Sequence, residues 1–190
     1  MKVALLLAAL VLGNAAAAET LAVVGDVEIT TADVVDAAGK MPTGDDLKNV
    51  VNGLIDRALL LKLAEGKGLT VTTADVDRAA VLSRRAFGAN AATGEAAYRK
   101  YLRQELTITK YIDLYIYPRI DPTDANLRAF FGAHGLEWLK TMPAEGPARA
   151  ALFARDRNEV WYRYVGSEMN RLLAADVAAA RERVKVATNN

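Results

Sequence analysis

His134 is the single histidine of the chain, and there is no cysteine. An imidazole acting as general base or metal ligand needs carboxylates, hydroxyls or further ligands beside it, and the helical spacing around His134 supplies none within its own helix. Its place at the end of a predicted helix, where a cation suits the negative end of the dipole, accounts for it without catalysis. Carboxylates come in pairs: Asp33 with Asp36, Asp45 with Asp46, Asp75 with Asp77, and Asp121 with Asp124. Paired carboxylates serve glycoside hydrolysis or calcium binding, but most of these fall at helix starts, where capping employs them. No calcium loop with a central glycine and terminal glutamate occurs, nor a nucleophile elbow, phosphate loop or dinucleotide fingerprint. The residues therefore point to no catalytic group, no metal ligand and no cofactor.

The aromatic residues carry more. Phe130, Phe131, Trp138, Phe153, Trp161, Tyr162 and Tyr164 concentrate in the last third of the chain. Trp161 shares a helical face with Tyr164, Val165 and Met169, which predicts a core position. Trp138 stands in a segment flanked by glycine and proline, where a large apolar ring is expected to be partly exposed. An exposed apolar patch rimmed by polar groups suits segments that offer apolar side chains without fixed shape. Phe130, Phe131, Trp138 and Trp161 are the candidate contacts for such a client.

The elements that must position these residues are mostly helices. Thr30-Thr31-Ala32-Asp33 and Thr72-Thr73-Ala74-Asp75 each pair a threonine N-cap with an acid three residues on. Asp121-Pro122 with Asp124 predicts a third start, with proline at the first helical position. Leu47, Val50, Val51, Leu54, Ile55, Ala58 and Leu59 form one apolar stripe, stopped at Gly66 or Gly68. Further helices are expected over 73–87, over 95–117 along Tyr98, Leu102, Leu106, Thr109, Ile112 and Ile116, and over 123–133. Gly88 to Gly94 reads as a small-residue linker, and 135–148 as a connection punctuated by Gly135, Pro143, Gly146 and Pro147. The last helix spans 147–183, more than about 50 Å at 1.5 Å per residue, so a bend near Gly166 or a projecting end is expected. Two β-favouring runs, Leu21–Val24 and Val27–Ile29, flank a Gly25-Asp26 turn and predict a hairpin. A hairpin alone is marginal in water, and Val184-Lys185-Val186 is the expected third strand. The fold class is mostly α, with a small β-sheet joining the chain ends.

Lys2, the apolar run Val3 to Leu12 and the small residues Ala16 and Ala18 have the layout of a secretory signal peptide over 1–18, its apolar core too short to span a bilayer. The expected location is the periplasm. Lys and Arg number 24 against 23 Asp and Glu, which leaves no footprint for nucleic acid.

Val23-Val24-Gly25-Asp26-Val27-Glu28-Ile29-Thr30 resembles the "VVNGEVIT" opening of the SurA-type N-terminal domain, found in periplasmic chaperones and peptidyl-prolyl isomerases. The similarity continues in order. Leu54 to Leu61 resembles the family's "LIDEELLLQ" helix, and Gly68 to Asp77 resembles "GITVSDEEVD". Tyr117 to Ile120 with Asp124 resembles "RPRVTVTDEEV", Phe130 to His134 resembles "YYEAH", and Arg155 to Asn158 resembles the "EKRN" start of the closing helix. In complete members a parvulin domain of roughly a hundred residues precedes that closing helix. Here the interval is about fifteen residues, below the roughly forty that an unstapled independent unit needs.

The resemblance thus implies a helical chaperone domain over 19–134, a connection over 135–148 in place of the parvulin domain, and a closing helix and strand over 149–190 completing the same domain. It implies an ATP-independent holder of unfolded or nascent envelope polypeptides, outer-membrane proteins among them, without isomerase activity. A dedicated interaction subunit of an envelope assembly and a residual prolyl isomerase are the alternatives, and a homodimer stays open.

Overall fold

The computed structural model describes residues 18–87, 95–143 and 145–188, with backbone alone for 83–87. The leader-like residues 1–17 and the linker at 88–94 lie outside the described residues. The fold is mostly helical with one three-stranded antiparallel sheet. The chain divides into two compact units, one running to Ile55 and resumed from Val186, the other from Asp56 to Lys185. The last helix belongs to the second unit and the last strand to the first.

In the first unit, β1 (Thr20–Val24) and β2 (Val27–Thr30) form the expected hairpin, with Val24 opposite Val27 and Gly25 at φ 64° in the turn. β3 (Val186–Thr188) adds antiparallel to the other edge of β1, giving the order β2-β1-β3. The strand starts two residues later than expected because the Val184 N–H is still engaged by the preceding helix, donating to the Ala180 carbonyl at 2.8 Å. Ala22, Val24 and Ile29 are buried. α1 (Thr31–Ala38) opens on a complete capping box: Thr30 Oγ1 accepts from the Asp33 N–H, and Asp33 accepts from the Thr30 N–H at 2.8 Å. α2 (Gly44–Gly66) begins here and continues into the second unit.

Among the described residues, apolar clusters organise the second unit. α3 (Thr73–Phe87) and α4 (Glu95–Tyr111) enclose Val76, Ala80 and Leu102, flanked by Tyr98 and Leu106. The end of α2, the end of α4 and α6 (Pro147–Arg183) gather Ala64, Tyr111, Ile116 and Leu172. α5 (Asp124–His134) and the first half of α6 enclose Leu127, Phe131, Phe153, Val160, Tyr164 and Val165.

Two boundaries differ from expectation. α4 does not run on to Tyr117: a π turn occupies Ile112–Ile116 and a 3-10 turn Tyr117–Arg119. Pro118 has no N–H to donate, and its ring presses on the carbonyl four residues back, so the preceding turn widens. Tyr111 is therefore buried while Thr109, on the expected stripe, faces solvent. α5 is capped by Thr123, whose hydroxyl accepts from the Asn126 N–H at 3.4 Å, and Pro122 precedes the cap instead of opening the helix.

The second threonine cap carries a pH dependence. Asp75 accepts from the Thr72 hydroxyl at 2.7 Å and the Thr72 N–H at 3.1 Å, and Arg78 also donates to it. These bonds, the Thr72 hydroxyl first, hold the Asp75 carboxyl down from 3.8 to about 2. A depressed folded pKa stabilises the fold above the unfolded value, and that contribution is lost as pH falls from 3.8 through about 2. An NMR titration of Asp75 is expected to show a midpoint near 2, and Thr72→Ala to move it back up.

Candidate functional site

Three of the four aromatic candidates meet in one cluster. Phe131 is 2% exposed, with its ring 5.7 Å from Phe153 in an edge contact and 6.3 Å from Trp138. Phe130, half-buried, stacks 6.2 Å from Trp138 and meets Tyr164 edge-on at 5.7 Å. His134 closes α5 with its ring 4.7 Å from Phe130 and Nδ1 2.7 Å from a Glu137 carboxylate oxygen. Phe131 is thus a core residue, placed out of reach of a client.

Trp138 is partly exposed, as its glycine- and proline-flanked segment suggested, and its covered side packs into the aromatic cluster. The chain leaves α5 through a 3-10 turn, Gly135–Glu137, which folds Trp138 back against Phe130 and Phe131. Gly135 permits this turn: a Cβ there would collide with the end of Met142 and lie 3.3 Å from the Phe131 ring. The Arg163 guanidinium covers the Trp138 ring at 4.7 Å. The indole N–H is buried without a hydrogen-bond partner among the described residues. Trp138→Ala is accordingly expected to destabilise the second unit by about 2 kcal/mol, less than a fully buried tryptophan, seen as a lowered melting temperature.

Trp161 is also placed differently. It was expected in the core beside Tyr164 and Val165, yet those two are buried while Trp161 is 36% exposed, and its neighbour Tyr162 is 69% exposed. Their rings contact edge to face at 5.2 Å. The buried face shifts in part along α6. At 3.6 residues per turn, Trp161 and Leu172 project within about 20° of each other, and Tyr162 and Ala180 point the same way about five turns apart. Leu172 and Ala180 are buried, Leu172 in the cluster with Ala64, Tyr111 and Ile116. Nearer its start, α6 buries a side that only partly overlaps this one, through Phe153, Val160, Tyr164 and Val165, against α5. The direction that Ala180 takes into the core is bare at Tyr162, and the Trp161 ring beside it is exposed although its helical neighbours Tyr164 and Val165 are buried. The helix assignment is continuous through Gly166. Leu136, in the 3-10 turn, and Leu114, in the π turn, are exposed apolar residues as well. An apolar residue inside a turn that follows a helix is the sequence signal for both.

A polar network was also missed. The Tyr111 hydroxyl donates to Asp176 at 2.7 Å, and Arg119 donates to both Asp176 oxygens at 2.9 and 2.7 Å. Burial first, then the bond to Asp176, pushes the Tyr111 phenol up to about 12. The partners stand 57 and 65 positions apart, so no local pattern could have joined them.

Among the described residues, no group of three or more His, Asp or Glu could hold a metal ion, and no helix is long and apolar enough to cross a membrane. No family model and no curated protein matches the chain.

Proposed function

We propose that the chain is an ATP-independent holder of unfolded polypeptide that works in the periplasm and binds clients on the bare face of α6. The observation that carries this reading is the exposure of Trp161 and Tyr162 on a face that α6 buries elsewhere. Aromatic rings offer large, stiff contact area at low entropic cost and dominate binding surfaces. Covering about 200 Å² of such surface contributes on the order of 5 kcal/mol, and ordering a flexible client offsets much of it. The balance is a weak, reversible hold that needs no nucleotide for release. The leader-like residues and the ordered series of SurA-type motifs support the same reading.

The test is light scattering from chemically unfolded outer-membrane proteins diluted into buffer. The wild-type chain is expected to suppress aggregation of several unrelated clients. Trp161→Ala/Tyr162→Ala is expected to weaken protection about tenfold with little change in melting temperature, because both rings are exposed. Failure of the wild type to protect, or full protection by the double variant, overturns the proposal. Protection of one client alone also overturns it, in favour of a dedicated assembly subunit.

A further inference from the structure

Where α2 and α6 end, a cleft of about 410 Å³ is lined by Leu63, Lys67, Tyr115, Arg119, Ala179 and Arg183, with Tyr111 and Asp176 in its wall. That volume lies within the roughly 300–1,000 Å³ of small-ligand sites. Three cationic side chains line it against one carboxylate. The carboxylate is already engaged: Asp176 accepts from Arg119 through both oxygens and from the Tyr111 hydroxyl. Lys67 and Arg183 have no acidic partner among the described residues. The Lys67 ammonium sits 5.1 Å from the centre of the Tyr115 ring, which stacks on Tyr111 at 5.6 Å.

Cations at helix ends are ordinary, because the dipole favours them there. Arg119 ends the 3-10 turn and is held by Asp176, but helix ends do not account for the tyrosine wall that the π turn builds beside the cations.

We propose that this cleft is a carboxylate-binding site that takes an acidic side chain of an extended polypeptide. Lys67 and Arg183 supply the charge, and the stem of the acidic residue lies against Tyr115, Leu63 and Ala179. The cleft is open to solvent along three helical segments, which suits a segment of chain, whereas a small ligand is held by burying most of its surface. Trp161 and Tyr162 do not line it, so this site and the apolar client face stand or fall separately.

The test is fluorescence anisotropy of a labelled oligoglutamate peptide with the full chain, beside an oligoglutamine peptide of equal length. The glutamate peptide is expected to bind, the glutamine peptide to bind at least about tenfold more weakly, and added salt to weaken binding through screening. Lys67→Glu/Arg183→Glu is expected to lose about tenfold or more. Lys100→Glu/Arg103→Glu, which makes the same change in net charge on exposed positions of α4, is expected to bind as wild type. Circular dichroism checks that both variants fold. Equal binding of the two peptides, or equal loss in both variants, overturns the proposal. So does displacement of the peptide by free glutarate at equal concentration, which marks a site for small carboxylates.

Discussion

Phe131→Ala is expected to cost about 3–5 kcal/mol, the range for removing a fully buried phenylalanine ring. Phe131 touches both sides of the α5–α6 interface, edge-on to Phe153 and tilted against Trp138. Its neighbours cannot collapse into the space easily. Leu127 and Val160 are held on helices, and Gly135 keeps the following turn tight against the ring. A drop in melting temperature on the order of 10–20 °C follows for a unit of this size. Phe131→Leu keeps most of the volume and is expected to lose far less. Thermal unfolding followed by circular dichroism separates the two. A loss below about 1 kcal/mol for Phe131→Ala would show that this interface does not hold the unit together.

Asp176→Ala is the second large effect. It strands the Tyr111 hydroxyl, which is buried, and frees Arg119, which keeps access to water. The cost expected is about 2 kcal/mol, most of it from the orphaned phenol, since the exposed half of the ion pair is screened. Tyr111→Phe removes the donor along with the need for it, so Asp176→Ala added to Tyr111→Phe is expected to cost less than Asp176→Ala alone. The same network sets an alkaline limit. Tyr111 titrates at about 12 against an ordinary 10, so its contribution is complete below pH 10 and is lost as pH rises through about 12. Asp176→Asn removes the neighbouring negative charge, and the Tyr111 absorbance transition is expected to move down.

Much of the fold was legible because its signals are local. The hairpin needs only Gly25-Asp26 between two β-favouring runs, and α1 and α3 need only a threonine and an acid three residues apart. α2 needs its stripe of apolar residues. Each of these is decided within one or two turns of chain, where backbone hydrogen bonds and side-chain caps act. The aromatic concentration near the end of the chain was also visible, and Phe130 and Phe131 with Trp138 do form one cluster.

Exposure was not legible in the same way. Trp161 is more exposed than its helical face predicts, because helical spacing describes a face without saying what stands opposite it. Trp138 is half-buried because α5 and the turn at Gly135 bring two phenylalanines against one side of it. Trp161 is exposed although Tyr164 and Val165, its neighbours on the helix face, are buried. The joining of Tyr111, Arg119 and Asp176 likewise came from helices packed together across more than fifty positions of chain. Helix and strand identity follow from interactions between near neighbours, which the order of residues encodes directly. Burial and electrostatic pairing follow from which distant surfaces meet, and only tertiary packing decides that.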